Sequence, residues 1–76
     1  MLEPQKRAGN AMGANLTGAN LERSKLAGVV AIRCDFTDAI LKEANLVRAN
    51  LNQATFQGAN LAGADLTGAD LAGADM

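Results

Sequence analysis

From residue 14 to residue 76 the sequence repeats with a period of five. Leu16, Leu21, Leu26, Ala31, Phe36, Leu41, Leu46, Leu51, Phe56, Leu61, Leu66, Leu71 and Met76 stand five apart, and all but Ala31 are large and apolar. Two places before each is a small residue: Ala14, Ala19, Ser24, Cys34, then alanine at every fifth position from Ala39 to Ala74, with Val29 the one large exception. Few folds accept such a period. In an α-helix, five steps turn the chain by ~500°, so the leucines would spiral and no face would be apolar. In a flat strand, an odd period throws successive leucines onto opposite faces. A short strand followed by a corner satisfies the pattern. The small residue and the leucine both point inward, the residue between them points out, and the next two turn the corner. Four corners close a square coil that climbs by one strand spacing, ~4.8 Å.

The corners carry their own signal. A type II turn needs a positive φ at its third residue, which favours glycine. Seven of the eight glycines, Gly13 among them, fall in that one phase, two places after the large residue. Arg23, Arg33, Asp38, Glu43, Arg48 and Gln53 hold it elsewhere. A different turn type is expected at those six.

The units Ala14 to Gly18 (Ala-Asn-Leu-Thr-Gly), Ala44 to Arg48 (Ala-Asn-Leu-Val-Arg) and Ala64 to Gly68 (Ala-Asp-Leu-Thr-Gly) resemble the pentapeptide-repeat family, whose motif is Ala-(Asp/Asn)-Leu-x-x. The resemblance covers residues 14–76. It implies an all-β fold, a right-handed quadrilateral parallel β-helix with four pentapeptides per coil, and about three coils in a solenoid of this length. The handedness comes from the family and not from the spacing. The resemblance also implies a cyanobacterial-like protein. Residues 1–13 are set apart as an N-terminal cap, in which Leu2, Pro4 and Met12 fold over the first coil, with Gly9 to Gly13 a degenerate unit centred on Ala11.

Four units per coil stack residues twenty apart. Phe36 and Phe56, the two phenylalanines, then share one wall, where stacked rings pack well. In the unit 29–33 a large Val29 accompanies a small Ala31. Either the two volumes exchange within a regular unit, or the chain bulges there. Cys34 occupies a small-residue position and is expected to be a buried, inert thiol. At the other end the repeat stops at Met76 in mid-coil. Either the sequence continues, or the open end stacks on a second copy through Leu66, Leu71 and Met76, because an exposed end offers unpaired backbone and an apolar disc. A homodimer through that end is expected.

Composition then narrows function. The 76 residues contain no histidine, which excludes a Ser-His-Asp triad and most zinc sites. The only serine, Ser24, points inward. Asp65, Asp70 and Asp75 fall on three successive walls and diverge, so they do not converge on a cation. No phosphate-loop or dinucleotide motif occurs. The expectation is therefore no catalytic residue, no cofactor and no metal. Asn15-Leu16-Thr17 matches the glycosylation triplet, which arises by chance when asparagine fills a repeat. A net charge of −1 argues against nucleic acid and anionic membranes as partners. No apolar run reaches the ~18 residues of a membrane helix, the N-terminus does not look like a signal peptide, and a single cysteine suits a reducing compartment, so the cytoplasm is expected.

Outward positions mostly carry asparagine, aspartate, threonine or glycine. Val30, Ile32, Ile40 and Val47 depart from this, with Arg23, Lys25, Arg33, Lys42 and Arg48 nearby. They suggest a partner-binding patch with a basic rim; the bland reading is scattered exposed aliphatics. The leading function is a non-enzymatic structural or protein-interaction module with an unknown protein partner. The alternative implied by the resemblance is a DNA-mimic that binds DNA gyrase. It is disfavoured because mimicry needs a long acidic rod, whereas three coils span only ~15 Å. An ice-binding threonine face ranks last, since Gln57 ends the column of Thr17 and Thr37.

Overall fold

The computed structural model of the protein describes residues 10–76. Leu2 and Pro4, the first part of the expected cap, lie outside the described residues. Parallel bridges join residues twenty apart and divide the coil into four walls. The first wall stacks Asn10, Val30, Asn50 and Asp70; the second stacks Asn15, Asp35, Thr55 and Asp75. The third holds Asn20, Ile40 and Asn60, and the fourth Lys25, Asn45 and Asp65. The segment 10–13 already follows this pattern. Ala11 N–H donates to Val30 C=O at 2.7 Å, and Gly13 N–H to Ile32 C=O at 2.9 Å. The described coil therefore includes the last residues of the segment that the sequence assigns to the cap.

One unit shows how the backbone is satisfied. Ala44 N–H donates to Leu41 C=O at 3.0 Å and closes a corner. Asn45 N–H reaches Ser24 C=O on the preceding coil at 2.9 Å. Leu46 and Arg48 N–H reach Asp65 and Thr67 C=O on the following coil, each at 2.8 Å. The fifth donor, Val47 N–H, bonds the side chain of Asn45 at 3.1 Å. All five donors of the unit are thus paired, as a buried or half-buried backbone requires.

The corners are of one kind. The third corner residue has a φ of 69–72° where it is glycine and 59–61° at Arg23, Arg33, Asp38, Glu43, Arg48 and Gln53. The closing bond is the same at both classes, 3.0 Å for Ala19 N–H to Leu16 C=O and 2.9 Å for Ala39 N–H to Phe36 C=O. The expected second turn type at the six non-glycine corners is therefore not found. Each wall's register fixes the direction of the corner, and the coil's hydrogen bonds hold these residues left-handed against a penalty of about 1–2 kcal/mol each.

The core is a column of small and large apolar side chains. Leu41, Leu46, Leu51, Phe36, Cys34 and Ala54 are fully enclosed. The Phe36 and Phe56 rings stack with centroids 4.9 Å apart and planes 4° from parallel. That separation matches the ~4.8 Å coil rise, so the backbone itself sets the ring spacing. Val29 and Ala31 are both buried, Val30 bridges both neighbours, and Cys34 N–H closes on Ala31 C=O at 3.1 Å. The unit 29–33 is regular: its volumes exchange and the chain does not bulge.

Candidate interaction surface

Asparagine and aspartate at the outward wall position act on the backbone as well as on water. Asn15 accepts from Thr17 N–H at 3.1 Å, Asn60 from Ala62 N–H at 3.0 Å and Asp70 from Ala72 N–H at 3.0 Å. The side chain bonds two residues ahead, an Asx turn that caps the corner. Reading these residues as merely solubilising misses that role, although the two-residue offset is a known turn signature. Asp35 and Asp65 go further. Each carboxylate accepts both the N–H and the hydroxyl of the following threonine, at 3.0 and 2.6 Å for Thr37 and 3.1 and 2.6 Å for Thr67. The threonine hydroxyl, then its N–H, holds each carboxyl below its ordinary range; at Asp35 the Thr17 hydroxyl adds to this.

Four walls positions lack the cap: Lys25, Val30, Ile40 and Thr55. The N–H groups of Ala27, Ile32, Lys42 and Gln57 consequently have no acceptor among the described residues. Two of the four, Val30 and Ile40, belong to the aliphatic set that the sequence marks as a partner surface.

The fold splits that set. Val30 lies on the first wall, Ile32 and the exposed Arg33 form its corner with the second, and Val47 stands at the corner where the fourth wall passes into the first. Ile40 lies on the third wall, opposite Val30. It is 38% exposed, whereas Val30, Ile32 and Val47 are half-buried. Met12, 49% exposed, holds the same place one coil before Ile32, so the corner between the first and second walls gains an apolar residue that the sequence assigns to the cap. At the far end Leu66 and Leu71 are half-buried and Met76 is 63% exposed.

Charge is arranged unevenly. Arg23 pairs with Glu43 at 3.0 Å and with Glu22 at 3.6 Å, and these are the ion pairs among the described residues. Asp65, Asp70 and Asp75 sit on the fourth, first and second walls. Among the described residues, no group of three acidic, cysteine or histidine side chains is placed to hold a metal ion. Burial, with the Asp35 carboxylate adding to it, pushes the Cys34 thiol up to about 11. It therefore stays protonated near neutrality and is a poor nucleophile. No helix among the described residues is long and apolar enough to cross a membrane.

The model of the pentapeptide-repeat family matches residues 14–53 and 44–76, in 8 copies. Among solved structures, the chain is similar to HetL, a pentapeptide repeat protein involved in heterocyst differentiation regulation from the cyanobacterium Nostoc sp. strain PCC 7120. The identity is 40% and the TM-score 0.60, over 86% of this chain and 29% of HetL. The chain thus spans less than a third of HetL's length. It is also similar to the pentapeptide repeat protein Rfr23 from the cyanobacterium Cyanothece 51142, at 28% identity and a TM-score of 0.46, over 87% of this chain and 55% of that one. No curated protein matches the sequence.

Proposed function

The chain belongs to the pentapeptide-repeat family, and on that premise we propose that it is a non-enzymatic protein-interaction module: a right-handed quadrilateral β-helix of about three coils that presents side chains to a protein partner. One observation carries the reading. Residues 29–48 make a single coil, and that coil holds every outward valine and isoleucine and no glycine. Its four corners, Arg33, Asp38, Glu43 and Arg48, are all strained, left-handed and long. The neighbouring coils keep glycine or the repeat's small polar residues at most equivalent places. A coil that accepts strain at every corner to display charged side chains is a display surface, since strain of this kind concentrates at functional sites. The involvement of HetL in heterocyst differentiation regulation is in line with such a role.

The module works in the cytoplasm, where a lone buried thiol such as Cys34 stays reduced. The 76 residues taken alone self-associate, with a second copy covering Leu66, Leu71 and Met76. Affinity capture from the source cells tests the module reading. Val30→Asp with Ile32→Asp, and separately Ile40→Asp, should remove a specific protein from the captured set in at least one case. If both variants capture what the unmodified protein captures, the display-coil reading is lost.

A further inference from the structure

We infer that the first wall is a docking site for an acidic, aliphatic segment of a partner protein. The inference rests on the interaction-module reading and names the side of the coil and the chemistry of the occupant.

Three independent features meet on this wall and at its corners. The first is apolar surface: Met12 is 49% exposed and Ile32 follows it at the equivalent place on the next coil, beside Val30. The second is charge. Arg33 is exposed where the first wall turns into the second, and Arg48 is exposed where the fourth turns into the first, one coil on. Neither makes an ion pair among the described residues, and the wall carries no carboxylate on its rungs until Asp70. The third is a missing acceptor. In capped units an Asx oxygen receives the N–H two residues ahead, as Asn10 receives Met12 at 3.1 Å and Asn50 receives Asn52 at 3.2 Å on this same wall. At Val30 that oxygen is absent, and Ile32 N–H has no acceptor among the described residues. The wall between two capped rungs therefore offers one N–H without an acceptor, beside aliphatic side chains and two guanidinium groups that make no ion pair among the described residues.

A partner carboxylate supplies that acceptor. It takes the place of the missing Asx oxygen on Ile32 N–H, its charge faces Arg33, and neighbouring aliphatic side chains cover Val30 and Ile32. Charge-assisted bonds of this kind are the strong ones. The third wall makes a useful contrast. It too has an uncapped aliphatic residue, Ile40, but the corners beside that residue carry Asp38, Lys42 and the Arg23–Glu43 pair. That mixed charge repels an acid as much as it attracts one.

The test uses the folded protein labelled with nitrogen-15 and a synthetic peptide of alternating glutamate and leucine. The largest amide shifts should fall at Ile32 and Arg33. A lysine-leucine peptide and a short DNA duplex serve as comparison probes and should leave those amides in place. Two variants separate binding from folding, because each is expected to stabilise the protein. Val30→Asn supplies the missing cap, and Arg33→Gly relieves the left-handed backbone. Both should raise the melting temperature and weaken the acidic peptide by about tenfold, the loss of one hydrogen bond to a charged group. Ile40→Asp should leave the peptide affinity unchanged. The inference is overturned if Ile32 does not shift, if the lysine peptide or the duplex binds equally well, or if Val30→Asn keeps full affinity. If Ile40→Asp alone abolishes capture from cells, the module reading stands and the first-wall assignment fails.

Discussion

Asn45 and Asp65 occupy consecutive rungs of the fourth wall and cap the same kind of corner, yet only the aspartate titrates. Its carboxyl, like that of Asp35, is held low by the threonine that follows. A folded pKa below the unfolded value means that the carboxylate contributes stability above the unfolded pKa. That contribution is lost as pH falls through the lowered folded value. The protein should therefore weaken in acid as pH drops below about 4, the unperturbed range of aspartate. Asp35→Asn with Asp65→Asn keeps the backbone acceptor and removes the titration, so denaturant melts at a series of acid pH values should show a flatter profile. An unchanged profile would assign acid sensitivity to other groups. Glycines in the same phase differ in a second way. A Cβ added at Gly18 meets nothing, whereas one at Gly58 meets the Asp38 carboxylate. Gly18→Ala should cost about 1 kcal/mol through its left-handed φ alone, and Gly58→Ala about 1–2 kcal/mol more through the contact as well. Adding Asp38→Gly should recover that difference in a thermal melt and leave the backbone part. The first distinction is local, since the threonine stands two residues after the aspartate in the same unit; the second is not visible in the repeat, because it depends on what the preceding coil places twenty residues away.

Within one pentapeptide the sequence is more legible. The shared column of Phe36 and Phe56 follows from the count of twenty residues, and the stacked rings bear it out. The Val29–Ala31 exchange follows from side-chain volume, but only the bridges of Val30 to Asn10 and Asn50 choose it over a bulge. The coupling it implies is measurable. Val29→Ala alone opens a void and should cost roughly 2 kcal/mol, while Ala31→Leu alone overfills the column and should cost about 1–3 kcal/mol. The pair together restores the family's motif and should cost far less than the sum, with a coupling on the order of 1–3 kcal/mol in a double-mutant cycle. Additive losses would mean that the two side chains do not share a space. The corners mark where the local reading stops. Glycine preference correctly locates the corner, yet it predicts a second turn type at Arg33 and Glu43, and the structure has none. Intrinsic φ preference is a local term; three coil-to-coil bonds donated per unit, as in 44–48, and a closing bond outweigh it.

At the scale of the whole molecule, coiling scatters what the sequence gathers. Val30 and Ile40 are ten residues apart, which is half a coil, so a run that reads as one patch is carried to opposite walls. The same coiling brings Met12 to Ile32 from twenty residues away. A linear reading therefore identifies the irregular residues and misassigns their company, and only the period restores the grouping. The period also exposes the last coil. Leu61, Leu66 and Leu71 are half-buried there, while their counterparts Leu41, Leu46 and Leu51 one coil earlier are fully enclosed. The N–H groups of Leu61, Leu66 and Leu71 have no acceptor among the described residues, whereas those of Leu41, Leu46 and Leu51 bond the next coil at 2.7–2.8 Å. With the 76 residues alone, a second copy laid on this face supplies both what the leucines lack and what the backbone lacks. Light scattering coupled to sizing should then give the mass of a dimer, and the melting temperature should rise with protein concentration, because association stabilises by mass action. Leu71→Glu places a charge in the centre of that face and should return the protein to a monomer whose melting temperature no longer depends on concentration. A monomer at every concentration before the substitution would rule out association through this end and leave the display coil as the one surface of the module.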